Sequence, residues 1–359
     1  MTYCAGDKPK LAIAAGGTGG HIFPALAVAQ LLSSENVCDV LWIGTKLGME
    51  AQLINAHKIP ISFISSYGLR GIKWYRLFLA PWQLIISLVQ AIKILREQQP
   101  KVLLAMGGFV AGPCGLAARI LGIPIIVHEQ NALAGTTNSI LAHFSTKVLQ
   151  AFPDTFPKKI QAITTGNPIR MSICKQQNRT DFKLPLNILV VGGSRGAVIF
   201  NTIMPEALIN IDANKFVVKH QTGAKNFQTT ITAYKKNAVL VQLEEFIDDM
   251  AAAYKWADIV IARAGALTIS ELVVAKAPSI LVPYPFAVDD HQTINAKYLS
   301  NNNAAILLPQ QKFTVAKLAS ILQEFIDNPV RLRQLQLGIN SLKTRDATAI
   351  VAKYCKEFL

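Results

Sequence analysis

LAIAAGGTGGHIFPALAVAQLL, residues Leu11–Leu32, decides how the rest of the chain is read. Leu11–Ala15 is an apolar run of strand length. Gly16-Gly17-Thr18-Gly19-Gly20-His21 is a glycine-rich turn, and Pro24–Leu32 continues as a helix, with Pro24 suited to its first turn. The pattern returns at Asn187: Ile188–Val191 reads as a strand, Gly192-Gly193-Ser194-Arg195-Gly196 as the turn, and the residues through Leu208 as a helix. One such opening in each half predicts two α/β domains, each a doubly wound parallel sheet begun by its turn. Their join is expected near Gly166-Asn167-Pro168.

Neither turn carries a dinucleotide fingerprint. After Gly17-x-Gly19 the third glycine position holds Ile22, and the second strand, Val40–Ile43, ends in Gly44 rather than in an acid for a ribose. No G-x-x-x-x-G-K-S/T loop occurs either, so a nicotinamide-linked dehydrogenase and a P-loop triphosphatase lose their support. A third glycine turn, Gly107-Gly108-Phe109-Val110-Ala111-Gly112-Pro113, follows strand Val102–Met106 and leads into a helix through Leu121. Strand Pro124–Val127 then runs into His128-Glu129-Gln130-Asn131. Two glycine turns at the carboxyl ends of one domain's strands suit a diphosphate, with Gly16, Gly17, Gly107 and Gly108 as candidate contacts. The alternative is tight packing of strand on helix, where glycine lets backbones approach.

In the second half, DIVIARAGALTISELVVAKAPSILVPYPFAVDDHQTINA (Asp258–Ala296) joins a strand, Asp258–Ala262, to a helix over Thr268–Lys276 that opens with a Thr-x-x-Glu capping box, Thr268 and Glu271. A helix start above a sheet attracts anions, because its first amides lack intrahelical partners and the macrodipole adds about half a positive charge. A second strand, Ser279–Pro283, leads to the polar run Asp289-Asp290-His291-Gln292. A phosphate site beside polar side chains suits a nucleotide sugar, while a purely structural cap is the other reading of Thr268 and Glu271.

The chain has 359 residues, 51% hydrophobic and 16% charged, which predicts two domains and little disorder. Its five cysteines are scattered without C-x-x-C spacing, so neither a disulfide framework nor a zinc site is indicated. Leu11–Ala15 meets glycine too soon to be a signal peptide, and a cytoplasmic chain is expected. The net charge of +14 implies an anionic partner. The positive charge is concentrated between Ala51 and His128, where eight Lys or Arg face one acid, Glu97.

Leu77–Leu95 approaches a membrane span in length, but Pro81 should start the helix, and Gln83, Ser87, Gln90 and Glu97 recur as a polar stripe. The reading is therefore a helix packed on the sheet. The run before it mixes Leu69, Ile72, Trp74 and Phe78 with Arg70, Lys73 and Arg76, and with Arg119 it suits docking on an anionic lipid surface. Core packing of those apolar residues is the alternative.

Eight motifs, GGTGGHIFPALAVA (16–29), GGFVAGPCGLAA (107–118), HEQNALAGTTN (128–138), TGNPIR (165–170), GGSRGAVIFN (192–201), EFIDDM (245–250), RAGALTISE (263–271) and DDHQTINA (289–296), resemble the MurG family of bacterial N-acetylglucosaminyltransferases in order and over nearly the whole chain. The resemblance implies a GT-B fold: two Rossmann-like domains facing across a cleft, at 1–167 and 168–341, with a last helix at about 342–359 returning to the first. It implies inverting transfer of N-acetylglucosamine from UDP-N-acetylglucosamine to the C4 hydroxyl of undecaprenyl-diphosphate-linked muramoyl-pentapeptide. This would occur at the cytoplasmic face of the bacterial membrane, among other cell-wall synthesis proteins and without nucleic acid. A glycolipid synthase with another lipid acceptor, and a non-catalytic nucleotide-sugar or lipid-surface binding protein, are the rival readings.

Carried over by motif, Thr18, Gly19 and Gly20 reach the donor sugar, and Asn131 binds its N-acetylglucosamine. Arg170 and Ser194 meet nucleotide and diphosphate, and Ile247 reads uracil through its backbone. Ala266, Leu267, Thr268, Ile269, Ser270 and Glu271 embrace diphosphate and ribose, with Glu271 as ribose ligand, and Gln292 meets the sugar hydroxyls. Arg195 replaces the family's usual glutamine, which adds a cation beside the expected diphosphate, and Thr136 stands where leucine is commoner. His21, after a glycine turn at a strand end, is the candidate base, with a hydrogen-bonding role as its alternative and His128 or Glu129 as substitutes. No D-x-D triplet occurs, so neither metal nor cofactor is expected.

Overall fold

The structure, a computed structural model, describes residues 8–66, 80–169, 173, 182–193, 196–237 and 239–359. The chain divides into two compact units, Met1–Arg170 with Arg345–Leu359, and Met171–Thr344. The first holds β1 (Lys10–Ala14), β2 (Asp39–Gly44), β3 (Ile61–Phe63), β4 (Val102–Ala105), β5 (Ile125–Glu129), β6 (Lys147–Gln150) and β7 (Ile163–Thr164). Its helices are α1 (Gly19–Ser34), α2 (Met49–Ala56), α3 (Ala80–Gln98), α4 (Gly108–Ile120) and α5 (Thr136–Leu141). The second holds β8 (Leu186–Val191), β9 (Phe216–Gln221), β10 (Gln242–Glu244), β11 (Ile259–Ala262), β12 (Ser279–Leu281) and β13 (Ala305–Leu307). Its helices are α6 (Val198–Ala207), α7 (Phe227–Lys236), α8 (Met250–Trp256), α9 (Ala266–Ala275), α10 (His291–Ser300), α11 (Val315–Asp327) and α12 (Val330–Ser341). A last helix, α13 (Ala347–Lys356), belongs to the first unit, where Val351, Ala352 and Cys355 are buried against α1.

Among the described residues every strand pairing is parallel, in the orders β3-β2-β1-β4-β5-β6-β7 and β10-β9-β8-β11-β12-β13. Each order reverses once, between β1 and β4 and between β8 and β11, and such a switch point opens a crevice at the strands' carboxyl ends. The glycine turns after β1 and β4, and after β8 and β11, lie at those two points. Alternation along β1 explains the two helical layers. Leu11 and Ile13 face the core shared with α1 and α13, whereas Ala12 and Ala14 face the one shared with α3 and α4. The small alanines let α4 approach the sheet.

Two expectations are corrected, and α3 adds a finding of its own. Helix α1 starts at Gly19 and carries Pro24 inside it, so Thr18 is its N-cap residue and His21 lies in its first turn. Proline lacks an N–H, but Ile22, Pro24, Ala25 and Ala29 are buried, and that packing outweighs the rule placing proline at a helix start. Strand β5 extends to Glu129, so His128 and Glu129 are strand residues rather than loop residues. The polar stripe of α3 divides: Ser87 is 1% exposed and donates to Ser65 O at 2.6 Å, and Gln90 Oε1 accepts from Ser65 N at 2.6 Å, whereas Glu97 is exposed and pairs with Lys93. The stripe satisfies the loop backbone after β3, which turns Trp82, Ile85, Ile86 and Val89 outward at 66, 51, 49 and 59% exposure. Among the described apolar residues of this helix, Ala91 and Leu95, farther along, are the fully buried ones.

Candidate active site

In the first unit the turns after β1 and β4 interlock around His21. Gly108 has φ +75°, and a Cβ there would lie 2.4 Å from Gly16 O, so the close approach of the two turns requires glycine. A Cβ on Gly107 (φ +93°) would lie 3.1 Å from both His21 Cε1 and Asn138 Nδ2. The structure thus brings Gly16 and His21 together with Gly107 and Gly108, from a distant part of the sequence. Gly17 lies beside a buried acid. Its N–H points to Glu50 Oε2 at 3.4 Å, and the fully buried Glu50 carboxylate also accepts from Thr45 N and Oγ1 at 2.9 and 2.8 Å. A carboxylate behind that amide opposes a second anion. Thr18 is exposed, with Gly19 and Gly20 as the first two residues of α1, where amides lack intrahelical partners.

His21 Nδ1 lies 2.7 Å from Oε1 of Gln130, which is 1% exposed. Gln130 Nε2 in turn lies 3.0 Å from His128 O and 3.1 Å from His128 Nδ1. His128 is fully buried, which pulls its pKa down to about 4, and its Nε2 lies 3.0 Å from Gly166 O. It is a neutral packing residue, not a base for substrate. Glu129, also 1% exposed, accepts from Asn131 N and Nδ2, Gly135 N and Asn138 Nδ2 at 2.9, 3.1, 3.1 and 2.9 Å. Those four donors make it the anchor of the loop after β5, and it too is set aside as base. Asn131 is half-buried, its side-chain amide oriented by that carboxylate.

In the second unit a pocket of about 720 Å³ opens at the switch point, lined by Gly193, Gly196, Arg263, Gly265, Thr268 and Gln292 among others. Another cavity, about 550 Å³, lies at the amino ends of β1 and β2 beside Lys8, Lys10 and Asp39, the wrong end of a parallel sheet for a ligand crevice. The capping box is overturned: α9 begins at Ala266, and Gly265, which has no side chain, takes the extended N-cap conformation (φ −63°, ψ 143°). Glu271, 7% exposed, instead accepts from the Tyr254 hydroxyl at 3.0 Å. Thr268 lines the pocket, and Leu267 is half-buried beside it. Ile269 has a fully buried side chain, and its N–H donates to Gly265 O at 2.9 Å. Ala266 is 7% exposed and its carbonyl accepts from the Ser270 hydroxyl at 3.0 Å.

Gln292 Oε1 accepts from Tyr284 N at 2.9 Å, which fixes its amide at the pocket wall. Ile247 N donates to Gln221 Oε1 at 3.1 Å, so its amide is engaged within the fold. The sequence reading missed Arg263, whose guanidinium donates to Val282 O, Pro283 O and Gln310 Oε1 at 3.1, 3.1 and 2.6 Å, with Phe200 and Tyr284 rings 5.2 and 5.4 Å away. It braces the pocket wall. It also missed Gln130, although His128 and Gln130, two apart at a strand end, share a face. Arg170 and Ser194, the replaced Arg195, and the docking run Leu69, Arg70, Ile72, Lys73, Trp74, Arg76 and Phe78 lie outside the described residues. Arg119 is exposed near the end of α4, between exposed Leu116 and Ile120. Among the described residues no group of three or more His, Cys, Asp or Glu could hold a metal ion.

Two Rossmann-like units with glycine turns at their switch points are the architecture of GT-B glycosyltransferases. The chain belongs to glycosyltransferase family 28: residues 11–150 match the family's N-terminal domain and residues 187–349 its C-terminal domain. It is similar to the UDP-N-acetylglucosamine--N-acetylmuramyl-(pentapeptide) pyrophosphoryl-undecaprenol N-acetylglucosamine transferase of Methylococcus capsulatus, 44% identical over 348 residues, 97% of this chain and 98% of that one. The same transferase of Shewanella denitrificans is 46% identical over 358 residues, 97% of each chain. The crystal structure of Acinetobacter baumannii MurG matches with a TM-score of 0.82 at 36% identity, covering 97% of this chain and 99% of that one. The MurG resemblance read from the eight motifs therefore holds.

Proposed function

We infer that this chain transfers N-acetylglucosamine from UDP-N-acetylglucosamine to undecaprenyl-diphosphate-linked N-acetylmuramoyl-pentapeptide, producing the lipid-linked disaccharide precursor of peptidoglycan. The observation that carries this is full-length similarity at 44–46% to transferases of that name, joined to a site of matching chemistry at each unit's switch point. The C4 hydroxyl of the muramoyl sugar attacks the anomeric carbon in line, and configuration inverts. His21 takes the hydroxyl proton. UDP departs onto the first-turn amides of α9, where the helix dipole favours the new negative charge, and Arg170 and Ser194 complete that cradle in this reading. Glu271 meets the ribose, Gln292 the sugar hydroxyls, and Ile247 reads uracil through its carbonyl, its amide being engaged. The reaction uses no metal or cofactor.

The acceptor's lipid implies peripheral docking at the cytoplasmic face of the membrane. Among the described residues no helix is long and apolar enough to cross a membrane. Support for docking comes from α3 and α4, which pack together and expose Trp82, Ile85, Ile86, Val89, Leu116 and Ile120 beside Arg119. An apolar patch with a cation suits an anionic lipid surface. Purified protein given UDP-N-acetylglucosamine should release UDP only when the lipid-diphosphate muramoyl acceptor is present, with a disaccharide-lipid as product. UDP release on a diacylglycerol acceptor instead, or none with any acceptor, would overturn the reading.

A further inference from the structure

We propose that Gln130 determines which nitrogen of His21 acts as the base, holding the proton on Nδ1 so that Nε2 carries the lone pair toward substrate. This rests on His21 being the base. The argument starts from an acceptor that cannot change role. His128 O is a backbone carbonyl, so the Gln130 side-chain atom 3.0 Å from it must be the amide nitrogen. The other amide atom is then the oxygen, an acceptor only, and His21 Nδ1 at 2.7 Å from it must be the donor. A neutral imidazole has one N–H, so Nε2 of His21 is left with the lone pair. Among the described residues it has no hydrogen-bond partner.

The far end of the chain agrees independently. Gln130 Nε2 also approaches His128 Nδ1 at 3.1 Å, which makes that nitrogen an acceptor and puts the His128 proton on Nε2. There it faces a second obligate acceptor, Gly166 O at 3.0 Å. The complete burial of His128 keeps it neutral and in this one state. The amide of Gln130 is pinned from its backbone as well, because Asn167 Nδ2 donates to Gln130 O at 2.9 Å. Two backbone carbonyls thus fix a single proton arrangement across three side chains.

The consequence for transfer is specific. As the acceptor oxygen bonds to the anomeric carbon, its O–H proton passes to His21 Nε2. The electron pair of the broken carbon–oxygen bond leaves with UDP. The imidazolium keeps its Nδ1–H on Gln130 Oε1, and the neutral amide cannot accept that proton. Gln130 is a positioning residue: it orients the ring and selects the tautomer without touching substrate.

Selective ¹⁵N labelling of the six histidines reads the tautomer directly, with His21 assigned by the signal lost in His21→Gln. The wild type should show His21 protonated on Nδ1 and His128 on Nε2. In Gln130→Leu, His21 should shift to the Nε2-protonated form that a free imidazole side chain prefers, and kcat should fall about 10–100-fold with donor KM unchanged. Should Gln130→Leu fail to fold, Gln130→Met replaces it, and the wild-type spectrum still decides the tautomer. His21 protonated on Nε2 in the wild type, or a Gln130 variant with shifted tautomer and undiminished kcat, would overturn the proposal. A His21→Ala loss under about tenfold would sink the base reading instead, leaving the tautomer result standing as a separate fact.

Discussion

The turn after β1 and the turn after β11 share one sequence pattern, apolar strand, small residues and then helix, yet they present different chemistry. At the first, the third residue of the helix is His21, held through Gln130 and His128 by backbone carbonyls, and a carboxylate, Glu50, lies behind the turn. At the second, the helix starts from a glycine N-cap, Thr268 faces a pocket, and the nearby cation, Arg263, braces the wall. The glycine turn is therefore a common frame. In the function proposed above, the residue at the third helical position and the sign of the charge behind the turn separate the proton-accepting site from the anion-holding one.

The largest test of this contrast is His21→Ala, for which steady-state kinetics should give a kcat lowered about 10²–10⁴-fold. Next is acid stability. Burial depresses the pKa of His128 to about 4, against 6.5 for an exposed imidazole, so below pH 6.5 the unfolded chain binds the extra proton first. The His128 contribution to stability is therefore full above pH 6.5 and declines as pH falls toward 4, by on the order of 3 kcal/mol, and buried His220, also shifted down, adds a loss of the same sign. Urea unfolding at pH 7 and 4.5 should show that loss, smaller in His128→Gln. On the donor side, Glu271→Ala should raise donor KM about 10–150-fold, equivalent to about 1.5–3 kcal/mol, and leave the melting temperature within a few degrees. An unchanged KM with a lowered melting temperature would make Glu271 a packing partner of Tyr254 alone. Smallest is Arg119→Ala, which should weaken binding to anionic vesicles by about 1 kcal/mol, with no effect on neutral ones and less in high salt.

The strands were legible because an apolar run between glycines has few other uses in a parallel sheet, and the order of glycine turns marked the two switch points. Helix starts were less so. Thr268 and Glu271 have capping-box spacing, but Gly265 already adopts the N-cap conformation, and Glu271 lies close enough to Tyr254 to bond it. Pro24 suggested a start at a position that burial of Ile22 places within the helix. In α3 the periodicity was visible but not which face turns inward, because Ser65 in a loop, rather than the sheet, takes the polar stripe. His21 stood out by its type and place. Gln130 could not, since its partner is 109 positions away and only folding brings them together.

The claim that acid–base chemistry belongs to the first turn and donor holding to the second is tested most directly by calorimetric titration of UDP-N-acetylglucosamine into His21→Ala. The account predicts a Kd within about threefold of wild type in a variant whose kcat has dropped by about 100-fold or more. A Kd weakened in proportion to kcat would contradict it, because His21 would then hold the donor rather than accept the proton.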